Sequence, residues 1–328
     1  MTLPSLRQLG TTGLDVTTIG LGLAALGRPG YINLGHAGDI GADRSVETME
    51  RRAHEVLDAA FDAGVRYFDA ARSYGRAEEF LASWLERRGR APSDVTIGSK
   101  WGYRYTAGWS VDAEHHEIKE HSLEMLRTQT AETLELLGGF LDLYQIHSAT
   151  LESGVLDNKD VLAELIRLAD EGIVIGLTTS GPQQAGIIRR ALNAEVDGVN
   201  PFRCVQATWN LLEPSAGPAL EGAHGAGWGV IVKEALANGR LTDRGDAPAE
   251  VGEIARSVGV GLDALAIAAV SAQPWVDVVL SGAATVDQLK SNLGAADLAL
   301  GDAAVDQLLA HAEDPKDYWA KRAALPWN

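Results

Sequence analysis

The stretch Leu141-Asp142-Leu143-Tyr144-Gln145-Ile146-His147 is a short, mainly apolar run that ends on a histidine. Apolar residues at helical spacing follow it over Lys159–Ala169, and a second apolar run follows over Val174–Thr178. Strand-length apolar runs on either side of a helical pattern predict a strand–helix–strand unit. Such a unit indicates two parallel strands joined by a right-handed crossover.

The same unit repeats along the chain. Eight short apolar runs are strand candidates: Thr18–Leu21, Tyr67–Asp69, Thr96–Lys100, Leu141–His147, Val174–Thr178, Cys204–Ala207, Gly229–Lys233 and Val278–Ser281. Helical patterns separate or follow them over Thr48–Ala63, Ala77–Arg88, Ser122–Leu137, Lys159–Ala169, Pro182–Leu192, Gly217–Ala226, Val251–Val258, Leu262–Ala272 and Thr285–Gly294. Eight units without a clear linker favour one domain over residues 1–328, folded as a (β/α)8 TIM barrel of the α/β class. A doubly wound sheet is the competing architecture.

Other segments extend this pattern at both ends and in two loops. Leu6–Leu9 and Leu14–Thr17 flank a glycine-containing turn and predict an N-terminal β-hairpin that closes the bottom of the barrel. The residues after the last helical pattern form a C-terminal extension. Two irregular segments, Arg28–Gly41 and Trp101–Glu117, follow the first and third strands, at the face where barrel active sites lie. The aromatic side chains of the second segment either line a substrate pocket or pack within the loop; they are Trp101, Tyr103, Tyr105 and Trp109.

Charge and composition exclude several classes of protein. The formal net charge of -17 opposes a general affinity for nucleic acid or anionic membranes, because both bind mainly through Lys and Arg. No apolar run reaches the roughly 18 residues that a membrane span needs. The opening Met1–Ser5 shows no basic stretch followed by an apolar signal core, and the single cysteine, Cys204, excludes an intramolecular disulfide. We therefore expect a cytoplasmic protein with a small-molecule partner.

Four polar residues fall at or beside the predicted strand ends. Asp69 ends the second strand, Tyr74 lies five residues beyond it, Lys100 ends the third strand and His147 ends the fourth. In a parallel barrel these strand ends converge on the catalytic face. Taken singly, each residue also has a structural interpretation: a helix cap, an ion pair or a buried histidine. Together they suit proton transfer.

The chemistry of the four residues is mutually consistent. A free tyrosine has a pKa of about 10, and a nearby ammonium group lowers that pKa by favouring the phenolate. Lys100 can supply the ammonium, and Asp69 can keep it protonated. His147 can donate a hydrogen bond to a substrate oxygen or assist proton transfer. Tyr74 would then protonate an alkoxide during reduction and accept the alcohol proton during oxidation.

These residues lie in segments that resemble the aldo-keto reductase superfamily. The resembling segments are Leu9–Leu14, Ile19–Gly22, Phe68–Gly75, Ser99–Lys100 and Leu141–His147. The resemblance extends through nearly the whole chain. It implies that Asp69, Tyr74, Lys100 and His147 form the catalytic tetrad of an NAD(P)-dependent oxidoreductase that interconverts a carbonyl (an aldehyde, ketone or sugar) and an alcohol.

The resemblance also implies a set of cofactor contacts. Gln206 and Thr178 would bind the nicotinamide carboxamide, Thr179 stands where many relatives have Asn, and Lys233 stands where an aromatic or Arg covers the nicotinamide. Segment Glu234–Thr242 resembles the pyrophosphate loop, and segment Gly282–Asn292 resembles the adenosine-binding segment. The full set of implied contacts is Gly22, Leu23, Asp69, Thr178, Thr179, Gln206, Lys233, Glu234, Leu236, Asn238, Arg240, Gly282, Thr285, Gln288 and Asn292.

The adenosine segment departs from relatives that prefer NADP. Those relatives commonly carry Lys or Arg where this chain has Gly282, Ala284 and Gln288, because a ribose phosphate needs cationic donors. Asp287 adds a negative charge; Lys290 could compensate for it or could equally be a solvated surface cation. The sequence therefore favours NAD, with NADP as the alternative.

Two other functions remain open. A regulatory or sensor barrel similar to potassium-channel β subunits could bind the cofactor and keep the tetrad. A metal-dependent barrel could use His115, His116 and His121, but adjacent loop histidines give no clean ligand geometry, so we expect no metal. The substrate would be selected by long loops and by the C-terminal tail, including Trp319 and Trp327. The sequence leaves the exact substrate, the physiological direction and the oligomeric state open.

Overall fold

The computed structural model describes residues 5–328. Residues 1–4 lie outside this range. They belong to the opening Met1–Ser5, from which we expected no signal segment. The strands within it are β1 (Leu6–Gln8), β2 (Asp15–Thr17), β3 (Ile19–Gly22), β4 (Tyr67–Asp69), β5 (Thr96–Trp101), β6 (Tyr103–Tyr105), β7 (Glu117–Lys119), β8 (Leu141–Ala149), β9 (Val174–Thr179), β10 (Phe202–Thr208), β11 (Gly229–Lys233) and β12 (Val278–Ser281).

The α-helices alternate with these strands. They are α1 (His36–Ile40), α2 (Val46–Asp62), α3 (Ala77–Arg88), α4 (Leu123–Leu137), α5 (Lys159–Asp170), α6 (Gln184–Ala191), α7 (Gly217–Gly225), α8 (Ala249–Val258), α9 (Leu262–Ser271), α10 (Val286–Leu293), α11 (Asp302–Leu309) and α12 (Pro315–Ala323).

Eight parallel strands close into a barrel. Their order around it is β3, β4, β5, β8, β9, β10, β11 and β12. β12 returns to β3 in parallel register, with Val279 opposite Ile19 and Ser281 opposite Leu21. This closure confirms the predicted (β/α)8 barrel and excludes the open doubly wound sheet.

The predicted N-terminal hairpin is also confirmed. β1 and β2 pair antiparallel, and Gly10 in their turn adopts a φ of +53° against the backbone of Trp228 and Gly229. A side chain at Gly10 would collide with that backbone. Leu9 and Val16 are buried in one apolar cluster with barrel residues, including Cys204. Each such aliphatic side chain contributes about 1.5–3 kcal/mol on burial, so the hairpin is held against the barrel by its own core.

Polar caps explain where several helices begin. The side chains of Ser45, Ser122, Asn158 and Thr285 each accept a hydrogen bond from the backbone N–H three residues later, at the first turns of α2, α4, α5 and α10. A cap of this kind stabilises a helix by about 1 kcal/mol. The predicted helices lie within about two residues of these observed starts.

The structure corrects the description of the two irregular loops and confirms the C-terminal extension. Segment Trp101–Glu117 is not wholly irregular, because β6 pairs antiparallel with β7 and Tyr103 lies opposite Lys119. The loop after β3 contains the short helix α1, and the C-terminal extension contains α11 and α12. Over residues 5–328 no single helix is long and apolar enough to cross a membrane; α8 and α9 reach that threshold only as a pair, across a bend of 88°.

Candidate active site

A cavity of about 610 Å³ lies at the carboxyl ends of the barrel strands. Asp69, Tyr74 and His147 line it, and Lys100 lies directly behind them with 1% of its surface exposed. β5 continues one residue beyond Lys100, and β8 continues two residues beyond His147. Neither residue is therefore the last of its strand, contrary to the expectation from the sequence. The structure therefore brings the four predicted residues together.

The carboxylate of Asp69 is the centre of a buried hydrogen-bond network. Lys100 Nζ forms an ion pair with Asp69 Oδ2 and also donates to the carbonyl oxygen of Ala70 at 2.8 Å. Asp69 Oδ1 accepts hydrogen bonds from Tyr67 Oη at 3.1 Å, Gln145 Nε2 at 3.3 Å and Gln206 Nε2 at 3.1 Å. A buried ion pair is stable only when its remaining polar atoms are satisfied, and these three donors satisfy the second carboxylate oxygen.

Strand geometry explains which side chains join this network. Tyr67 precedes Asp69 by two residues on β4, and Gln145 precedes His147 by two on β8, so each pair shares one face of its strand. The adjacent Gly98 on β5 leaves room for Tyr67, whose hydroxyl would lie 2.5 Å from a Cβ at that position. Sequence reasoning missed Tyr67 and Gln145, although the two-residue alternation was a signal that could have found them.

Tyr74 lies in the loop after β4, between Lys100 and His147. Lys100 Nζ is 4.7 Å from the centroid of the Tyr74 ring, and the ring of His147 meets it edge-on at 5.3 Å. Burial raises the pKa of Tyr74 well above its usual value, Asp69 raises it further, and Arg28 opposes the shift. The expectation that its pKa is lowered is therefore wrong, because burial and Asp69 outweigh the positive charge of Arg28. The Tyr74 hydroxyl is protonated.

His147 is held in a neutral form. Burial lowers the pKa of His147 well below its usual value, and the positive charges of Lys100 and Lys233 add to the effect. Ser73 Oγ lies 3.2 Å from His147 Nδ1. A serine hydroxyl that donates to Nδ1 leaves the ring proton on Nε2, so the imidazole can donate a hydrogen bond.

Most of the implied cofactor contacts lie along the same cavity. Those that line it are Gly22, Asp69, Gln206, Lys233, Glu234, Leu236, Asn238, Gly282, Gln288 and Asn292. They extend from the tetrad to the start of α10. The implied nicotinamide, pyrophosphate and adenosine segments therefore border one continuous space.

Five implied contacts do not line the cavity. Leu23 is fully buried in the barrel core, and Thr285 caps α10. Thr178 Oγ1 accepts a hydrogen bond from the Ser148 backbone N–H at 2.7 Å, and Thr179 is fully buried. Arg240 points to other partners; it forms ion pairs with Asp246 and Glu313.

Orphaned polar atoms show that the cavity fits a polar ligand such as a dinucleotide. Among residues 5–328, both ring nitrogens of His36 and the Oδ1 atom of Asn238 are buried without a hydrogen-bond partner, and both residues line the cavity. Burial lowers the pKa of His36 to about 4, so its ring is neutral. Unpaired buried polar atoms are costly, and a ligand with hydroxyl and phosphate groups would satisfy them.

The negative charge of Glu234, in the predicted pyrophosphate loop, is balanced by neighbouring cations. Arg322 Nε donates to both carboxylate oxygens at 3.0 and 2.9 Å, and Thr208 Oγ1 donates at 2.9 Å. Burial alone would raise the pKa of Glu234, but Arg322 and Lys233 outweigh it and hold the pKa at about 2. Arg322 comes from α12 in the C-terminal extension, where no local sequence pattern marked it as part of the site.

The substrate end of the cavity differs from the sequence expectation. Trp327 lines it, whereas Trp319 is buried in an apolar cluster with residues of α8 and α9 and does not. The aromatic residues predicted in segment Trp101–Glu117 do not line it either; the segment contributes Glu117 instead. Arg28 and Tyr31 complete this wall; their segment, Arg28–Gly41, was expected at this face, but neither residue was predicted as a site residue.

The loop histidines do not form a metal site. His116 Nε2 bonds to the carbonyl oxygen of Val111, His121 Nε2 bonds to that of His147, and His115 is exposed. Throughout the part of the chain that the structure describes, no group of three or more His, Cys, Asp or Glu residues is placed to hold a metal ion.

Comparison with known proteins identifies one family. The family model described as "Aldo/keto reductase family" matches residues 18–313. The chain is 26% identical to L-galactose dehydrogenase of Arabidopsis thaliana over 314 residues, which cover 90% of this chain and 89% of that protein. It is 29% identical to the uncharacterized oxidoreductase YqkF of Bacillus subtilis over 51% of this chain and 46% of that protein.

Solved structures and a channel subunit give similar matches. An aldo-keto reductase from Pseudomonas aeruginosa superposes with a TM-score of 0.64 at 25% identity, over 89% of this chain and 95% of that one. A protein named for a voltage-gated potassium channel β subunit in Oryza sativa is 24% identical over 89% of this chain and 91% of its own length. The chain therefore resembles both a protein named as a dehydrogenase and a protein named as a channel subunit.

Proposed function

Because the chain belongs to the Aldo/keto reductase family, we propose that it interconverts a carbonyl compound and the corresponding alcohol, with Tyr74 transferring the proton. The protein is an oxidoreductase, and its family uses a nicotinamide cofactor, which when bound supplies or accepts a hydride. The observation that carries the proposal is the cluster of Tyr74, His147 and the Lys100–Asp69 ion pair on one wall of the cavity.

The protonation states suit the reduction direction. The carbonyl oxygen of the substrate would accept hydrogen bonds from the Tyr74 hydroxyl and from His147 Nε2. As negative charge develops on that oxygen, the protonated Tyr74 donates its proton. The resulting phenolate is stabilised by Lys100, whose ammonium lies 4.7 Å from the ring and is held in place by Asp69. Oxidation of an alcohol reverses these transfers.

Charge at the far end of the cavity supports NAD over NADP. Asp263 and Asp287 line that end beside Gly282, Ala284 and Gln288. Arg244, a cation that also lines the cavity, is already paired with both carboxylate oxygens of Asp39 at 2.7 and 2.6 Å. A ribose phosphate at that end would meet two carboxylates, whereas a ribose hydroxyl can donate a hydrogen bond to a carboxylate.

A regulatory barrel is the second candidate, because the chain also resembles a potassium channel β subunit. Such a protein would bind the cofactor without sustained turnover. For either function we propose a cytoplasmic location and a small carbonyl or alcohol partner, without nucleic acid or membrane. The single buried cysteine fits a reducing compartment, and the charge of -17 opposes binding to nucleic acid or anionic membranes.

A paired cofactor screen tests the proposal. NADH and NADPH consumption would be measured with aldehydes, ketones and aldoses, and NAD and NADP reduction with alcohols and sugars. We expect turnover with NADH at a kcat/KM at least about tenfold above that with NADPH, which corresponds to about 1.4 kcal/mol. Cofactor binding without turnover of any substrate would favour the regulatory function, and preference for NADPH would contradict the cofactor assignment.

A further inference from the structure

A second polar cluster lies in the cavity beside the tetrad. Arg28 comes from the loop after β3, and Glu117 is the first residue of β7. Arg28 Nη1 and Glu117 Oε2 are 3.1 Å apart, with side-chain exposures of 3% and 26%. Both residues line the cavity that contains Tyr74 and His147. The carboxylate of Glu117 is therefore partly accessible from the same space as the proton donor.

Three aromatic rings enclose the guanidinium of Arg28. Its Cζ atom lies 4.8 Å from the ring centroid of Tyr31, 5.2 Å from that of Tyr74 and 4.7 Å from that of Trp327. Trp327 is in turn stacked on His116 at 3.8 Å, with the rings almost parallel. Cation–π contacts and a stacked ring hold the guanidinium in one position. The cation is thus fixed next to the Tyr74 ring.

The hydrogen bonds of Arg28 leave part of the guanidinium available. Nε donates to the carbonyl oxygen of Ala24 at 3.3 Å, and Nη1 donates to that of Ser73 at 3.2 Å and to Glu117. Within residues 5–328, Nη2 has no such acceptor. A guanidinium has five N–H donors, so this arrangement keeps donors next to a carboxylate that can only accept.

A hydroxyl group matches this pair of neighbours. It can donate to Glu117 and accept from Arg28 at once, and two adjacent hydroxyls can do so with both charged groups. An aliphatic chain would remove water from two charges without replacing their hydrogen bonds. An anionic substituent would meet the carboxylate of Glu117. The pair therefore favours an uncharged, hydroxyl-bearing ligand.

We infer that Arg28 and Glu117 form a subsite for substrate hydroxyl groups, so that the carbonyl compound reduced at Tyr74 is polyhydroxylated, as aldoses and small hydroxyaldehydes are. This inference rests on the proposed function and names its substrate class. The subsite lies against Tyr74, within reach of hydroxyls close to the carbonyl carbon.

The test compares two aldehydes of equal length, glyceraldehyde and propanal, which differ by two hydroxyl groups. For the wild-type protein with NADH, kcat/KM for glyceraldehyde should exceed that for propanal by about 100-fold or more, since a site built to bind hydroxyls rejects analogues that lack them. Glu117→Gln and Arg28→Met should each lower this ratio at least about tenfold. Arg28→Lys keeps a cation between the three aromatic rings but removes the guanidinium donors. It replaces Arg28→Met in this comparison if Arg28→Met fails to fold.

Arg104→Met is the matched control, because Arg104 forms an exposed ion pair with Glu120 on the same hairpin. It should leave the ratio of the two kcat/KM values unchanged. A wild-type ratio near 1, or a ratio that Glu117→Gln and the folded Arg28 variant leave unchanged, would overturn the subsite alone. Failure of the proposed function looks different: neither aldehyde would support NADH consumption, and both proposals would fall together.

Discussion

At Asp69 a single carboxylate accepts hydrogen bonds from Lys100, Tyr67, Gln145 and Gln206. The contact with Gln206 was not expected, because the sequence resemblance assigns that amide to the nicotinamide carboxamide. Gln206 lines the cavity and can contact both Asp69 and a ligand. Asp69 thus connects Lys100, which lies beside Tyr74, to Gln206 on β10.

Lys100→Met and Asp69→Asn should each slow the chemical step, and their effects should not add. Lys100→Met removes the charge that stabilises the Tyr74 phenolate, and Asp69→Asn removes the partner that holds that charge in place. Each loss should be on the order of 10²–10⁴-fold, as for other proton-transfer groups, and the double variant should lose far less than the product. Single-turnover NADH oxidation at saturating cofactor measures this. Lys159→Met on the exposed surface of α5 is the control, and fully multiplicative losses would argue against the coupling.

Lys233 is a cavity-lining residue whose pKa lies close to neutral pH. Burial lowers the pKa of Lys233 to about 8, although Glu234 opposes the shift. The ammonium is therefore present below pH 8 and lost above it, and with it one positive charge near the expected position of an anionic dinucleotide. We expect the Kd for NADH to rise several-fold between pH 7 and 9 in the wild type and to change less than about twofold in Lys233→Met. Fluorescence titration measures both, and parallel profiles would contradict this role.

At the scale of elements, the loop after β3 and the loop after β11 contact each other beside the cavity. The backbone N–H of Leu34 donates to the carbonyl oxygen of Asn238 at 3.0 Å, and Asn238 Nδ2 donates to Asn33 Oδ1 at 3.2 Å. The ion pair of Arg244 with Asp39 joins the same two loops. His36, which lies between Leu34 and Asp39 in the sequence, also lines the cavity, and we expect the loop after β3 to cover a dinucleotide bound there.

Arg244→Ala should therefore speed cofactor release. Arg244 is about half exposed, and ion pairs of that kind contribute about 0.2–1 kcal/mol. We expect the dissociation rate of NADH to rise about two- to fivefold, with little change in the rate of the chemical step. Stopped-flow displacement measures the dissociation rate, and Arg51→Ala, which breaks an exposed ion pair with Glu55 on α2, is the control. An unchanged dissociation rate would show that the two loops do not retain the cofactor.

Local sequence signals predicted most strands and helices, but not β6, β7 and α12. The barrel strands and their helices have apolar periods long enough to recognise. β6 and β7 are three residues each and are joined by a long loop without a hairpin turn signature, so neither strand has a detectable apolar period. α12 had a usable signal, since Asp314 and Pro315 are a typical helix start.

For the molecule as a whole, the barrel and the tetrad could be predicted because strand ends converge by topology. The rest of the site is built from contacts between distant segments. Asp39 and Arg244 are 205 residues apart, and Glu234 and Arg322 are 88 apart. Such pairs leave no local pattern in the sequence. The pKa of Tyr74 also depends on burial, which only the folded chain fixes, and this is why its predicted direction was wrong.

The central claim is that Tyr74 transfers the proton, and Tyr74→Phe tests it most directly because the variant keeps the ring and removes only the hydroxyl. Single-turnover oxidation of NADH would be measured at saturating carbonyl substrate, beside a fluorescence titration of NADH and a Tyr105→Phe control on β6. We predict a loss of roughly 10²–10⁴-fold in the chemical step, with the Kd for NADH within about threefold of the wild type. A Tyr74→Phe rate close to that of the wild type would contradict the account.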